Sequence, residues 1–450
     1  MRVLIFHGYL LDGTGSNVYN ARLAAALVGL GHEVHLLSQD RHAEEHRFVD
    51  AVGDWDAGTL QIRELDRSSG DDDGRARQPG RCTVYRPDIG ELLPVYVADR
   101  YEALQARTFA QCSELEVADY IAANVAAVIE LRERVHPHAA LANHLVMGPV
   151  ILARGLQGRV SYAVKVHGSA LEYTVKAQPE RFLALAREGL AGASAVLVGS
   201  RHTASSLWAA IGDPQLPKRT RLGPPGVDVE RFLPRERRAG AAGLRALAWR
   251  LRAAASSEAL EGEATQTHGA SAQSALEQGA ARSAFARDAR AAAQALARLD
   301  PDRDLLVAFV GKLIVSKGVD LLLAAWPLVL ARVPRARLVV VGFGAYRDGL
   351  EGLCAALGRG DLAAAREMAV AGRALEGESS PSRPLRHLIA FLDELDGAER
   401  ERYLAGAVAL HEQVVFVGRL DHDELAELLP ACEAVVVPST FPEAFGMVAA

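Results

Sequence analysis

Short apolar runs alternate along most of this chain with stretches whose apolar residues recur at helical spacing. In the first half the candidate buried strands are Arg2–His7, Glu33–Leu37, Ala139–Ala142, Tyr162–His167 and Ala195–Gly199. The same rhythm returns after Asp304, with candidate strands at Leu305–Val310, Arg337–Val341, Gln413–Val417 and Ala434–Val437. Continuous apolar strands separated by helices are typical of a parallel sheet that is covered on both faces. The pattern therefore predicts an α/β protein with two doubly wound units.

A Pro- and Gly-rich turn, Pro224 to Asp228, leads out of the first half. We place the domain boundary there, which gives an N-terminal domain over residues 1–225 and a C-terminal domain over residues 226–450. Two units of this kind normally face each other across a cleft, and ligands bind at the carboxyl ends of the strands. Residues 239–299 and 350–411 break the rhythm, and we predict helical insertions there.

Composition narrows the class of protein. Half of the residues are apolar and about a quarter are charged, as in an ordinary globular protein. The formal charge of −6 argues against a general nucleic-acid binder. The four cysteines lie far apart without a CxxC motif, so we expect free thiols and a cytoplasmic location. No segment approaches the ~18–20 apolar residues that a membrane span needs, so we expect any membrane contact to be peripheral.

Two motifs of the first half suggest ligand contacts. Gly13 to Asn17 follows the first strand and precedes a helical stretch, predicted over 20–31, where glycines allow close approach and a helix start favours an anion. A plain tight turn is the alternative, and a dinucleotide fingerprint would need glycine where Val18 stands. With Asp40 as the ribose-binding acid, a dehydrogenase is a minor alternative. His167 ends a strand, where a side chain projects toward ligands, although a single histidine is more often structural.

Two further motifs lie in the second half. Gly311 to Gly318 follows a strand and carries Lys312 and Lys317, which could neutralise a diphosphate; solvated surface lysines are the alternative. Pro438 to Met447 places Glu443 between a strand and a helix, where it could accept hydrogen bonds from sugar hydroxyls. An acidic residue that simply favours a helix start is the alternative there. The acidic run 71–73 follows no buried strand, so we interpret it as a solvated loop and predict no metal site.

In this order the motifs resemble those of the GT-B-fold retaining glycosyltransferases of the GT4-type family (glycosyl transferases group 1). The resemblance extends over the chain apart from the two predicted insertions. It implies two Rossmann-like domains and transfer of a sugar from a nucleoside-diphosphate sugar with retained anomeric configuration. The implied acceptor is a hydroxyl of a sugar, a lipid-linked compound or a small molecule, and no metal or other cofactor is required.

The resemblance also implies roles for individual residues. Glu443 matches the first acid of a paired glutamate motif that contacts the donor sugar. Lys317 matches the lysine that holds the diphosphate, and His167 matches the cleft histidine near the donor sugar. These three are the implied catalytic residues. Lys312 stands where the family usually has arginine, so the charge is kept but the bidentate geometry is lost. The implied donor-binding residues are Gly15, Gly311, Lys312, Lys317, Arg419, Leu420, Glu443, Phe445 and Gly446. The acceptor candidates are Asn17, Tyr96, Tyr101 and His144.

The end of the chain departs from the family pattern. A second glutamate is expected eight residues after Glu443, and the sequence stops at Ala450, one residue before it. We therefore expect a C-terminal domain that is truncated relative to the family. Two alternatives remain open, a nucleotide-sugar epimerase of the same fold and a non-catalytic protein that binds sugar nucleotides.

Overall fold

All nine strands predicted from apolar runs are present in the computed structural model, which describes residues 1–56, 58–66, 79–96, 105–266, 287–376, 383–441, 446 and 448. The described residues form two units, which divide between Pro225 and Gly226. The acidic run 71–73 lies outside the described residues. Among the described helices, none combines the length and the apolar character that crossing a membrane requires.

The first unit is built on parallel β-structure. Its strands are β1 (Arg2–Phe6), β2 (Glu33–Leu37), β3 (Ala51–Asp56), β4 (Thr59–Glu64), β5 (Arg81–Arg86), β6 (Leu92–Val95), β7 (Gln105–Thr108), β8 (Ala139–Asn143), β9 (Tyr162–Val166), β10 (Ala195–Val198) and β11 (Thr220–Leu222). Nine of them form one sheet in the order β11-β10-β9-β8-β1-β2-β5-β3-β4, and β6 pairs with β7. Among the described strands of the large sheet, β3 and β4 pair antiparallel and every other pair is parallel. The strand ends of β1, β8 and β9 therefore lie side by side.

Helices connect these strands. They are α1 (Gly15–Gly29), α2 (Glu114–Val135), α3 (Gly148–Leu156), α4 (Pro179–Ala191), α5 (Arg201–Ile211) and α6 (Leu216–Arg219). The structure begins α1 five residues before the predicted start at Asn20, because the polar first turn does not show the apolar periodicity. Asn17 and Asn20 lie on the buried face of this helix. The extra turn thus carries amide side chains into the interior.

The described part of the second unit contains four parallel strands, β12 (Leu305–Val310), β13 (Ala336–Val341), β14 (Val414–Gly418) and β15 (Ala434–Val435), in the order β14-β13-β12-β15. Its helices are α7 (Arg237–Gln266), α8 (Ala289–Leu296), α9 (Val319–Leu330), α10 (Arg347–Gly358), α11 (Leu362–Ala371), α12 (Arg386–Asp393), α13 (Gly397–Ala407), α14 (Leu410–Gln413) and α15 (His422–Leu428). The described parts of 239–299 and 350–411 are largely helical, as predicted.

These two helical segments are layers of the unit rather than appendages to it. Leu247 of α7 and Leu296 of α8 share a buried cluster with Val339 of β13. Leu350 of α10 shares a second buried cluster with Val340, the next residue of β13. Successive side chains of a strand point to opposite faces, so the two segments cover opposite faces of the same sheet. Both segments, predicted as insertions, thus contribute apolar side chains to the core of this unit.

Candidate functional site

Two motifs that are far apart in the sequence meet beside the second sheet. The backbone N–H of Thr440 donates to the carbonyl oxygen of Ser316 at 3.1 Å. Gly318 has φ +68°, and a Cβ at this position would lie 2.2 Å from the carbonyl oxygen of Pro438. Glycine is needed there both for the left-handed backbone and for the close approach. The Gly311–Gly318 segment is therefore held against the segment that leads to Glu443.

The predicted donor residues of this unit follow strand ends. Gly311 and Lys312 follow β12, and Lys317 ends a short 3₁₀ turn that directly precedes Gly318. Arg419 follows β14 and its Nη2 lies 3.1 Å from Asp421 Oδ1. Leu420 is 7 % exposed and belongs to a core cluster. Gly446 has φ +81°, whereas Glu443 and Phe445 lie outside the described residues.

Sequence reasoning missed the loop Gly342-Phe343-Gly344, which connects these strand ends. The N–H of Gly342 donates to Gly418 O at 2.9 Å, and the N–H of Leu313 donates to Phe343 O at 2.7 Å. The loops after β12, β13 and β14 are thus joined by backbone hydrogen bonds. The sequence signal that could have indicated this loop is Gly342, which directly follows the apolar run of β13.

In the first unit, three histidines lie close together at the carboxyl ends of β1, β8 and β9. His7 follows β1, His144 follows β8 and His167 follows β9. The ring centroids of His144 and His167 are 4.9 Å apart, and those of His7 and His144 are 6.1 Å apart. The sheet order brings these rings together, since the three strands are neighbours.

A chain of hydrogen bonds runs from His167 to the first turn of α1. His167 Nε2 lies 3.0 Å from Asn143 Oδ1, and Asn143 Nδ2 lies 2.7 Å from Asn20 Oδ1. Asn20 Nδ2 lies 3.1 Å from His7 Nδ1. His7 Nε2 in turn lies 3.1 Å from Asn17 Oδ1. Five side chains from three strand ends and one helix form this network, in which His167 is partly buried and the other four are buried.

Backbone carbonyl groups determine the direction of these hydrogen bonds. Each asparagine Nδ2 also donates to a backbone carbonyl oxygen. Asn17 donates to Asp12 O at 2.6 Å, Asn20 donates to Ser16 O at 2.8 Å, and Asn143 donates to Phe6 O at 3.3 Å. A carbonyl oxygen only accepts, so each amide oxygen must face the next member of the network. His7 and His167 therefore each donate from Nε2–H. In the neutral ring this leaves Nδ1 of His167 as a hydrogen-bond acceptor.

The same environment keeps both rings uncharged. Burial lowers the pKa of His7 to about 4. Burial, with a further contribution from the positive charge of Lys165, lowers the pKa of His167 to about 3. At neutral pH, His167 can accept a hydrogen bond from a hydroxyl group but is too weak a base to remove a proton efficiently. A positioning role fits this chemistry.

The acceptor candidates are largely enclosed. Asn17 is 2 % exposed and belongs to the network, and Tyr96 is 8 % exposed and donates to the carbonyl oxygen of Val146. His144 is 2 % exposed, and neither of its ring nitrogens has a hydrogen-bond partner among the described residues. Tyr101 lies outside the described residues. Gly15 is the first residue of α1, with open space where a Cβ would be.

The structure gives Asp40 a different role from the one considered for a dehydrogenase. Its Oδ2 accepts from the N–H of Leu11 at 2.7 Å and its Oδ1 accepts from the N–H of His42 at 2.8 Å. Both oxygens thus hold the loop that follows β1 and the chain after β2. This removes the feature on which the dehydrogenase alternative depended.

Lys165 is a second residue that sequence reasoning missed. It is 2 % exposed, donates to the carbonyl oxygen of Gly223, and lies 5.3 Å from the ring centroid of Tyr19. Burial lowers the pKa of its ammonium group to about 8. A lysine inside the otherwise apolar run that forms β9 was the available signal. It places a positive charge two residues before His167.

The histidine network predicts a pH dependence of stability. An unfolded chain protonates histidine near pH 6.5, whereas native His7 does so only near pH 4. Between these values the unfolded state binds more protons, so the free energy of unfolding falls as the pH falls. For His7 alone the slope is about 1.4 kcal/mol per pH unit. We expect His7→Gln to reduce the slope between about pH 6 and 4.5 by roughly that amount, measured by denaturant unfolding.

The matched control for this prediction is His202→Gln, which removes an exposed histidine in α5 of the same unit. The free energy of unfolding of His202→Gln should depend on pH with the same slope as that of the natural protein. Equal slopes for His7→Gln and the natural protein would contradict the prediction.

Comparison with known families matches both parts of the chain. The glycosyl transferase 4-like domain matches residues 14–216, and the glycosyl transferases group 1 domain matches residues 385–450. An uncharacterized glycosyltransferase of Methanocaldococcus jannaschii is 29 % identical over 148 residues, which are 33 % of this chain. That match spans only about a quarter (24 %) of the length of the relative.

Solved structures are more distant. The structure of HepE from Anabaena in complex with UDP is 14 % identical, covering 100 % of this chain and 77 % of that one, with a TM-score of 0.47. The catalytic domain of starch synthase IV from Arabidopsis thaliana, bound to ADP and acarbose, is 13 % identical, covering 98 % and 78 %, with a TM-score of 0.44. The two domain matches occur in the order that the motifs predicted, on two parallel-sheet units of the α/β class. Both parts of the chain thus match glycosyltransferase domains, the first over residues 14–216 and the second over residues 385–450.

Proposed function

We propose that the protein transfers a sugar from a nucleoside-diphosphate sugar to a hydroxyl group of an acceptor, with retention of the anomeric configuration. The observation that carries this proposal is the contact between the lysine segment and the Pro438–Thr440 segment. It joins, in one unit, the two motifs that the family uses for the donor. The family assignment of both parts of the chain supports the same reaction.

The lysine segment supplies the electrostatic part of the mechanism. As the bond between the sugar and the diphosphate breaks, negative charge accumulates on the leaving phosphate. Lys312 and Lys317 neutralise that charge, which lowers the energy of the transition state. The acceptor hydroxyl attacks the same face of the sugar, and its proton passes to the leaving phosphate. No resident cofactor takes part in this proposal.

Glu443 and His167 hold the substrates. The carboxylate of Glu443 accepts hydrogen bonds from hydroxyls of the donor sugar, and the neutral Nδ1 of His167 accepts one from a substrate hydroxyl. Neither residue acts as a covalent nucleophile. Their contribution is positional, because fixing two reactants in the reactive geometry removes much of the entropic barrier.

The experiment first identifies the donor and then follows its transfer. UDP-, GDP- and ADP-sugars are screened by thermal shift, since a ligand that binds only the native state raises the melting temperature. The donor that binds is then incubated with sugar acceptors, and the anomeric configuration of the product is determined by NMR. We expect a glycoside with the configuration of the donor. An inverted product would overturn retention, and an epimerised nucleotide sugar formed without acceptor would identify an epimerase.

Glu443→Gln serves as the matched variant in this assay. It preserves the size of the side chain and removes its charge, so turnover should fall far more than affinity for the free nucleoside diphosphate. If both fell equally, the role assigned to Glu443 would be wrong. If the natural protein bound a donor without any turnover, the non-catalytic alternative would replace the enzyme.

A further inference from the structure

The second unit contains an open pocket of about 570 Å³ that the proposed reaction does not use. It lies between the first turn of α9 and a lining formed by Arg373 and residues 383–388. Val315 and Thr440, from the two donor motifs, also line it. A volume of this size suits a small polar molecule such as a sugar derivative.

Arginine side chains dominate the charge of this pocket. Arg383 and Arg386 line it, are exposed, and form no ion pair with any residue that the structure describes. Arg373 also lines it and is paired with Glu376 at 3.3 Å, and His387 adds a further nitrogen base. Guanidinium groups match the geometry of phosphate oxygens and bind them through paired hydrogen bonds. The lining therefore favours a phosphate group.

The backbone that carries two of these arginines is held in place. Gly372 has φ +59°, and a Cβ there would lie 1.9 Å from the carbonyl oxygen of Arg383. The N–H of Arg373 donates to that same oxygen at 3.1 Å, and the N–H of Leu385 donates to Ala369 O at 2.8 Å. These hydrogen bonds join residues 369–373 to residues 383–385. The arginine backbone therefore needs little ordering before a ligand binds.

A buried carboxylate provides an independent indication of a ligand. Asp320 lines the pocket, is 4 % exposed, and its Oδ1 has no hydrogen-bond partner among the described residues. Burial raises the pKa of Asp320 to about 6, although the backbone N–H groups of Asp320 and Leu321 donate to the carboxyl group and act in the opposite direction. A buried carboxylate oxygen without a donor is unfavourable, and a ligand hydroxyl would supply the missing hydrogen bond.

We propose that this pocket binds a sugar phosphate. Its phosphomonoester pairs with Arg383 and Arg386, and one of its hydroxyls donates to Oδ1 of Asp320. The pocket is next to the donor segment, since the N–H of Val315 donates to Glu376 Oε1 at 2.6 Å. Binding at this site does not depend on the transfer reaction, so it is tested by direct binding.

Isothermal titration calorimetry with glucose 6-phosphate and with inorganic phosphate tests the arginines. We expect the natural protein to bind glucose 6-phosphate, and the double variant Arg383→Ser/Arg386→Ser to bind it at least about tenfold more weakly. The control is Arg303→Ser/Arg332→Ser, which removes two exposed arginines before β12 and after α9, and should bind as the natural protein does. No binding to the natural protein, or equal binding to the Arg383/Arg386 variant, would overturn the proposal.

Two further variants separate this site from the donor site. Asp320→Asn keeps the side-chain size, and its affinity for glucose 6-phosphate should fall toward its affinity for inorganic phosphate. Lys317→Ala should bind glucose 6-phosphate normally while losing affinity for the nucleoside diphosphate. If Lys317→Ala lost both ligands, the sugar phosphate would be occupying the donor site, and the proposal would be wrong. Melting curves confirm that each variant is folded.

Discussion

Lys317→Ala is expected to weaken binding of the nucleoside diphosphate by about 10- to 150-fold. Lys317 ends the turn that Gly318 holds against Pro438, so its ammonium group belongs to the proposed phosphate site. A hydrogen bond to a charged group contributes about 1.5–3 kcal/mol, and each 1.4 kcal/mol is a factor of ten in affinity. Calorimetric titration with the nucleoside diphosphate that binds the natural protein measures the loss.

Two control variants accompany this measurement. Lys218→Ala removes an exposed lysine of α6 in the first unit and should leave the affinity as it is. Lys312→Arg keeps the charge and restores a bidentate donor, so it should bind at least as tightly as the natural protein. Unchanged affinity in Lys317→Ala would remove this lysine from the phosphate site.

Asn20→Ala is expected to lower the free energy of unfolding of the first unit by about 2–4 kcal/mol. Asn20 contacts Ser16 O, His7 Nδ1 and Asn143 Nδ2, all in the buried network. Leaving buried polar groups without partners costs about 1–3 kcal/mol for each group. Hydrogen exchange of the amides in β1, β8 and β9, followed by mass spectrometry, measures the change in opening free energy.

Asn124→Ala is the matched control for this substitution. Asn124 is as buried as Asn20, at 1 % exposure, but its side chain bonds to Tyr120 O within its own helix. We expect its loss to cost about 1 kcal/mol. Equal effects of the two substitutions would show that the network adds no stability beyond ordinary burial of an asparagine.

The pattern of apolar residues was sufficient to predict the central strands. Strands covered on both faces are continuous apolar runs, and such a run can be recognised without knowing its partners. Most of the strands that were not predicted have polar residues, and β6 is an apolar run of only four residues that contains a proline. β5 carries arginine at both ends although its middle is buried, and β4 exposes most of its residues. Their pairing within the sheet, and not their composition, makes them strands.

The order of motifs along the chain was likewise sufficient to indicate the family, because each motif is a short local pattern. The site roles of Glu443, Lys312, Lys317 and His167 stay predictions. Local patterns did not indicate that Gly318 would lie against Pro438, because this contact depends on β12 and β15 being neighbours in the sheet.

The sequence by itself thus determined the α/β fold class and the central strands, and its motifs indicated the two glycosyltransferase domains. Only the tertiary structure decided what surrounds each polar side chain. An alanine-rich stretch such as 239–299 has the same composition whether it covers a sheet or projects from it. The apolar residues that α7 contacts show that this helix covers the sheet. Asn20 and Asn143 belong to different elements, and nothing near either residue in the sequence specifies the other. Their hydrogen bond forms because α1 lies against the carboxyl ends of β1 and β8, where burial makes an unpaired amide costly.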